Sequence, residues 1–135
     1  MNKTYVLDAS ALLTLLTDEP GRSRVEQLLR EADRLRTPLL VSVANWGEIF
    51  YVSWQRHGEQ SAREALADLS QLPIRVVPVD VADALCAGEL KALHKIPYVD
   101  CLAAALAIVQ KATLVTSDHD FDKLGRQFPI LWIAR

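Results

Sequence analysis

Tyr5-Val6-Leu7-Asp8-Ala9-Ser10-Ala11-Leu12-Leu13 is the stretch on which the fold turns: a short, partly β-branched apolar run stops at an acid, and apolar residues resume over 11–16 with helical character. It reads as strand, turn and helix in succession. The same alternation recurs downstream. Residues 39–43, Leu-Leu-Val-Ser-Val, form a buried strand, followed by a helix over 44–57 that carries Trp46, Ile49, Phe50, Tyr51, Val52 and Trp54. Residues 74–79 are β-branched enough for a strand; Asp80 caps a helix over 81–93, and Pro97 opens another that runs to 111. Residues 113–116 and 130–133 supply two more strands, with a short helical turn over 118–124 between them.

Two further helices complete the pattern. Val25, Leu28, Leu29, Ala32 and Leu35 recur at spacings of three and four after the Pro20-Gly21 break, and Ala62, Ala65, Leu66 and Leu69 share one face of a helix over 61–72. Pro38 and Pro73 close these two helices. Short, almost wholly apolar strands alternating with helices indicate a parallel sheet covered on both faces. The expected fold is α/β, a three-layer α/β/α arrangement around a central, mostly parallel sheet of about five short strands. With 135 residues, the chain is expected to be a single domain, 1–135.

Four acids stand in awkward places. Asp8 follows the first strand and Asp118 the fourth, where open α/β sheets bind their ligands. Asp100 lies in Tyr98-Val99-Asp100-Cys101-Leu102-Ala103-Ala104-Ala105-Leu106-Ala107, a helix apolar nearly all round and therefore buried. Glu48 sits in Asn45-Trp46-Gly47-Glu48-Ile49-Phe50-Tyr51, beside a glycine that weakens the helix and hints at a close approach to its backbone. Burying a carboxylate costs free energy unless it is paired or bound to a cation. Asp8 and Asp118 each have an alternative role as helix caps, which is compatible with facing a cation. A divalent-metal site accounts for all four, with one ion held tightly or two held loosely, and oxygen-only ligands favour Mg²⁺ or Mn²⁺ over zinc. Such a site suits hydrolysis of a phosphodiester.

The net charge of −2, from 15 Lys plus Arg against 17 Asp plus Glu, argues against binding nucleic acid by bulk electrostatics alone. Arg22, Arg24, Arg30, Arg34 and Arg36 crowd one helix but alternate with Glu26, Glu31 and Asp33, as on a solvated face. Cys86 and Cys101 form no close pair and read as small core residues in a reducing compartment. Met1-Asn2-Lys3-Thr4 leads directly into the first strand, and the longest apolar stretch, 101–109, is too short to span a bilayer. A cytoplasmic protein with no membrane contact is expected.

Taken together, Val6-Leu7-Asp8-Ala9-Ser10-Ala11-Leu12-Leu13, Glu48 in an aromatic-rich helix, Val99-Asp100-Cys101-Leu102-Ala103-Ala104 and Leu114-Val115-Thr116-Ser117-Asp118-His119-Asp120-Phe121 resemble the PIN-domain nucleases, specifically VapC-type toxins. The resemblance covers essentially the whole chain. It implies an Mg²⁺- or Mn²⁺-dependent endoribonuclease that hydrolyses RNA through a metal-activated water and is silenced by a cognate antitoxin. By position, Asp8, Glu48, Asp100 and Asp118 would be the catalytic and metal-binding acids, with Ser10 and Thr116 as polar helpers and Asp120 ranked below the other four. The family also implies a homodimer, and Trp46, Phe50 and Trp54 offer a candidate surface for a second subunit or an antitoxin helix, or else simply fill a deep core. His57 and His94 read as surface residues or RNA contacts rather than catalysts; His119 is close enough to the site to contact substrate, but a place in the turn without such contact is the favoured reading.

Three rival readings remain open at the level of sequence. Asp80 could be the acceptor of a receiver-type phosphoacceptor signalling domain, although Asp8 lacks the acidic neighbour and Thr116 the following Lys that such a domain would want. Asp8 could be a phosphatase nucleophile, although Ser10 stands where a second acid is needed. The acids could also merely cap helices in a non-catalytic α/β binding module.

Overall fold

The computed structural model describes residues 3–134; Met1 and Asn2, the first two residues of the segment read from the sequence as leading directly into the first strand, and Arg135 lie outside the described residues. Five strands, β1 (Tyr5–Leu7), β2 (Leu39–Ser42), β3 (Ile74–Val77), β4 (Thr113–Thr116) and β5 (Ile130–Trp132), pair in parallel in the order β3-β2-β1-β4-β5. The sheet thus grows leftward from β1 through β2 and β3, then crosses back to place β4 on the other side of β1. Ligand crevices in open parallel sheets form where the order reverses in this way. Here that point lies between β1 and β4.

Period-two alternation along each strand divides the core. Val6, Leu40 and Leu114 face α5 (Val81–His94) and α6 (Tyr98–Val109), together with Phe121. Leu7, Leu39, Val41 and Val115 face α1 (Ala9–Thr17), α2 (Arg22–Leu35), α3 (Val43–His57) and α4 (Glu59–Leu69). Val6, Leu7, Leu114 and Val115 are fully buried, as strands covered on both sides must be. A 3-10 turn, His119–Leu124, links β4 towards β5. This is the three-layer architecture expected from the sequence.

Boundaries shift where caps override periodicity. Asp8 caps α1, so that helix begins at Ala9 rather than at Ala11. α4 stops at Leu69 rather than continuing to Leu72, since the Ser70 hydroxyl turns back to donate to the Leu66 carbonyl and Gln71 N–H bonds to Asp68. Cys101 is fully buried in α6 and Cys86 half-buried in α5; both thiols are free. Among the described residues, no single helix is long and apolar enough to cross a membrane.

Candidate metal centre

Asp8 is held on three sides. Its Oδ1 accepts from the Ser10 hydroxyl at 2.7 Å and from the Ala11 N–H at 3.0 Å, and its Oδ2 accepts from the Thr116 hydroxyl at 2.6 Å. Thr116 ends β4 one residue beyond Val115, the partner of Leu7 in the β1–β4 register, so the sheet itself brings the two side chains together. The same hydroxyls organise the turn beyond β4. Ser10 Oγ accepts from the Ser117 N–H at 3.1 Å, and Thr116 Oγ1 accepts from the Asp118 N–H at 2.9 Å. Asp8 is therefore a helix cap and also part of a hydrogen-bonded clasp across the switch point.

Asp118 caps the 3-10 turn, accepting from the Asp120 N–H at 2.9 Å. That tight turn aims Asp120 back at the same place. Ligand oxygens of Asp100, Asp118 and Asp120 all lie within 4.8 Å of one another. Asp120, ranked last from the sequence, belongs to this closest group, whereas Asp8 and Glu48 stand outside it. Both are nevertheless near enough for their charges to act on Asp100, which feels Asp118, Asp8, Glu48 and Asp120.

The electrostatics record this crowding. Burial, followed by the four neighbouring carboxylates, pushes the Asp100 carboxyl up to about 7, and the side chain is only 7 % exposed. Burial also raises Asp8, to about 6, against the opposing pull of its Thr116, Ser10 and Ala11 donors. Glu48 is raised as well, again chiefly by burial. Among the described residues, no Lys or Arg forms an ion pair with any of the five acids. A hard, oxygen-only donor set lacking a protein counter-charge fits a divalent cation such as Mg²⁺ or Mn²⁺.

The structure adds a residue that the sequence reading passed over. Asn45 in the first turn of α3 is completely buried; its Nδ2 donates to Glu48 Oε1 at 3.3 Å, while its Oδ1 has no hydrogen-bond partner among the described residues. The i, i+3 spacing from Glu48 was the available signal. At Gly47 a Cβ built on the backbone meets nothing within 4 Å, so among the described residues none makes the close approach that the sequence hinted at. α3 also has an open side, with Tyr51 51 % exposed. Of the aromatic stripe, Trp46 packs into the core, while Phe50 and Trp54 meet edge to face beneath the guanidinium of Arg63 from α4.

The rival acceptor, Asp80, sits beyond the edge strand β3 and forms a reciprocal capping box with Asp83 at the start of α5. It is exposed and lies off the β1–β4 switch point. His57 and His94 belong to the ends of α3 and α5, while His119 lies between Asp118 and Asp120 in the chain.

Comparison with known proteins agrees with this geometry. The family described as PIN domain matches residues 5–127. The chain is 35 % identical over 123 residues to ribonuclease VapC30 of Mycobacterium tuberculosis, covering 86 % of this chain and 91 % of that protein. Among solved structures it resembles VapBC2 from Rickettsia felis, bound to a DNA fragment from their promoter, with a TM-score of 0.76, 18 % identity and coverage of 96 % and 98 % of the two chains. It also resembles a toxin–antitoxin complex from Klebsiella pneumoniae, with a TM-score of 0.70, 21 % identity and coverage of 98 % and 99 %.

Proposed function

The chain belongs to the PIN-domain family, and from that premise we propose that it is the ribonuclease toxin of a toxin–antitoxin pair, cutting RNA phosphodiester bonds at the acidic centre with Mg²⁺ or Mn²⁺. The observation that carries this reading is the convergence of Asp100, Asp118 and Asp120 within 4.8 Å at the β1–β4 switch point. The curated relative at 35 % identity is named a ribonuclease, which supports the substrate class. A structural neighbour is a toxin–antitoxin complex, which supports an antitoxin partner.

In this reading Asp100, Asp118 and Asp120 hold the cation, with Asp8 and Glu48 completing the negative wall. A bound divalent cation would supply an activated water and offset charge on the phosphate oxygens. The protein's own contribution is preorganisation. Thr116 and Ser10 fix both oxygens of Asp8, Asn45 orients Glu48, and burial in α6 keeps Asp100 from rotating away. A homodimer belongs to the same proposal: α5 leaves Val81, Leu85 and Leu93 exposed at 77 %, 69 % and 69 %, an apolar surface suited to a second copy. Sedimentation of the free protein tests that part.

The decisive assay is cleavage of RNA by the wild type and by Asp100→Asn in Mg²⁺, Mn²⁺ or EDTA. Cutting should require the metal and disappear in a variant that still folds. Cutting indifferent to both EDTA and the substitution would overturn the proposal.

A further inference from the structure

The 3-10 turn that carries Asp120 also carries His119. Its imidazole lies nearly parallel to the indole of Trp132 on β5, with centroids 5.1 Å apart and planes inclined by 14°. Its Nδ1 stands 3.3 Å from Asp122 Oδ2, which restrains rotation of the ring. Yet 54 % of the His119 side chain is exposed. Beside it, between the turn and β5, Phe121, Phe128, Ile130 and Trp132 wall a pocket of about 250 Å³ whose lining also includes the exposed Arg126.

An imidazole already stacked on one face and restrained at its edge loses little freedom when a second ring covers its other face. Unpaired RNA bases are recognised by such stacking, and every base offers a π-face. Five carboxylates carry more negative charge than one divalent cation offsets, so affinity for an RNA strand has to draw on groups flanking the centre as well as on the cation. His119 on the turn, Trp132 on β5 and Arg126 on the segment joining them are aromatic and cationic groups flanking the centre, and Lys123 on the turn adds a second exposed cation.

Resting on the ribonuclease reading above, we propose that the open face of His119, backed by Trp132, is the stacking surface for an unpaired base of the substrate, with Arg126 beside the adjoining backbone phosphate. His119 is one residue from both Asp118 and Asp120. The stacked base therefore belongs to a nucleotide flanking the bond that is cut.

The test uses the full chain and fluorescein-labelled single-stranded RNA oligonucleotides, with an abasic nucleotide introduced at each position in turn. Binding is read by anisotropy in Mg²⁺ in an Asp100→Asn background, and cleavage is read separately in the otherwise wild-type protein. His119→Ala should weaken binding about 10-fold, the size of one base–aromatic stack, and His119→Phe should restore it. In cleavage, the Ala variant should raise KM and leave kcat near wild type. One abasic position should cost a similar factor when His119 is present and nothing further when it is absent. Equal abasic penalties in both backgrounds, or unchanged binding by His119→Ala, would overturn the proposal, because a stack that only seals the end of β5 predicts no such coupling. Protein that binds RNA with this pattern but never cuts it refutes the nuclease reading alone; protein that binds no RNA refutes both.

Discussion

Thr116 and Asp8 are 108 positions apart in the chain, and the hydroxyl of one donates to the carboxylate of the other at 2.6 Å. The bond spans the β1–β4 switch point and favours the ionised form of Asp8 against burial, which pushes its carboxyl up to about 6. Thr116→Val keeps the shape and removes the donor. It also leaves the Asp118 N–H without its acceptor. We expect a loss of roughly 1–3 kcal/mol in chemical denaturation and an upward shift of the acid limb of the pH–rate profile. A profile that does not move would show that Thr116 is not what keeps Asp8 ionised.

Without metal, the acidic centre should make stability fall with rising pH. Asp8 and Asp100 have folded-state values raised to about 6 and about 7, above the ordinary carboxylate value of 3.8. Groups raised in this way bind protons more tightly when folded. Their contribution is complete below the unfolded value and is lost as pH climbs through the folded ones. Thermal melts in EDTA should therefore drop between about pH 4 and pH 7. Adding Mg²⁺ or Mn²⁺ at pH 7.5 should recover stability, by roughly 2.7 kcal/mol at a hundredfold excess over Kd. Asp100→Asn should raise the metal-free melting temperature at that pH and abolish most of the metal response. A flat EDTA melt series would remove the basis for calling this cluster strained.

Asn45→Ala removes the hydrogen bond that the Asn45 side chain donates to the Glu48 carboxylate. Losing a partner that orients a metal ligand costs about 10- to 100-fold in metal affinity or activity, and Glu48, in the wall beside the ligands, should show the low end of that range. Calorimetric titration with Mn²⁺ should show weaker binding, and Asn45→Gln, with its longer reach, should rescue little. Unaltered titration would reduce Asn45 to a packing residue.

Two glycines should respond in opposite directions. Gly21 has φ +99°, and a Cβ there would lie 2.7 Å from the Ile133 carbonyl oxygen. Gly21→Ala should therefore destabilise by more than about 1 kcal/mol. Gly47 lies within α3 with open space around it, so Gly47→Ala should stabilise by roughly 0.5–1 kcal/mol. Urea midpoints of the two variants read both signs at once.

Much of this arrangement is written in local pattern. Val6 and Leu7 are apolar side by side because β1 is covered on both faces, and the same doubling marks Leu114 and Val115. Asp100 was conspicuous because α6 offers no polar face on which to excuse it. What stayed hidden depends on three-dimensional closure. The order β3-β2-β1-β4-β5 follows from how helices pack over the sheet, which no single segment encodes. Asp120 ranks below the other acids by sequence, and only the 3-10 geometry brings it to Asp118 and Asp100. Gly47 stands in open space among the described residues, so no close neighbour there accounts for a helix-weakening residue.

The position of β1 also affects how the protein emerges during synthesis. β2 and β3 can join β1 on one edge early, but the opposite edge stays unpaired until residues 113–116 leave the ribosome. Only then can Thr116 reach Asp8 and the turn bring Asp118 and Asp120 to Asp100. Vectorial synthesis therefore works as a safety catch: a nascent chain tethered near the RNA of its own ribosome carries no assembled acidic centre until residues 113–120 have been made and released from the tunnel.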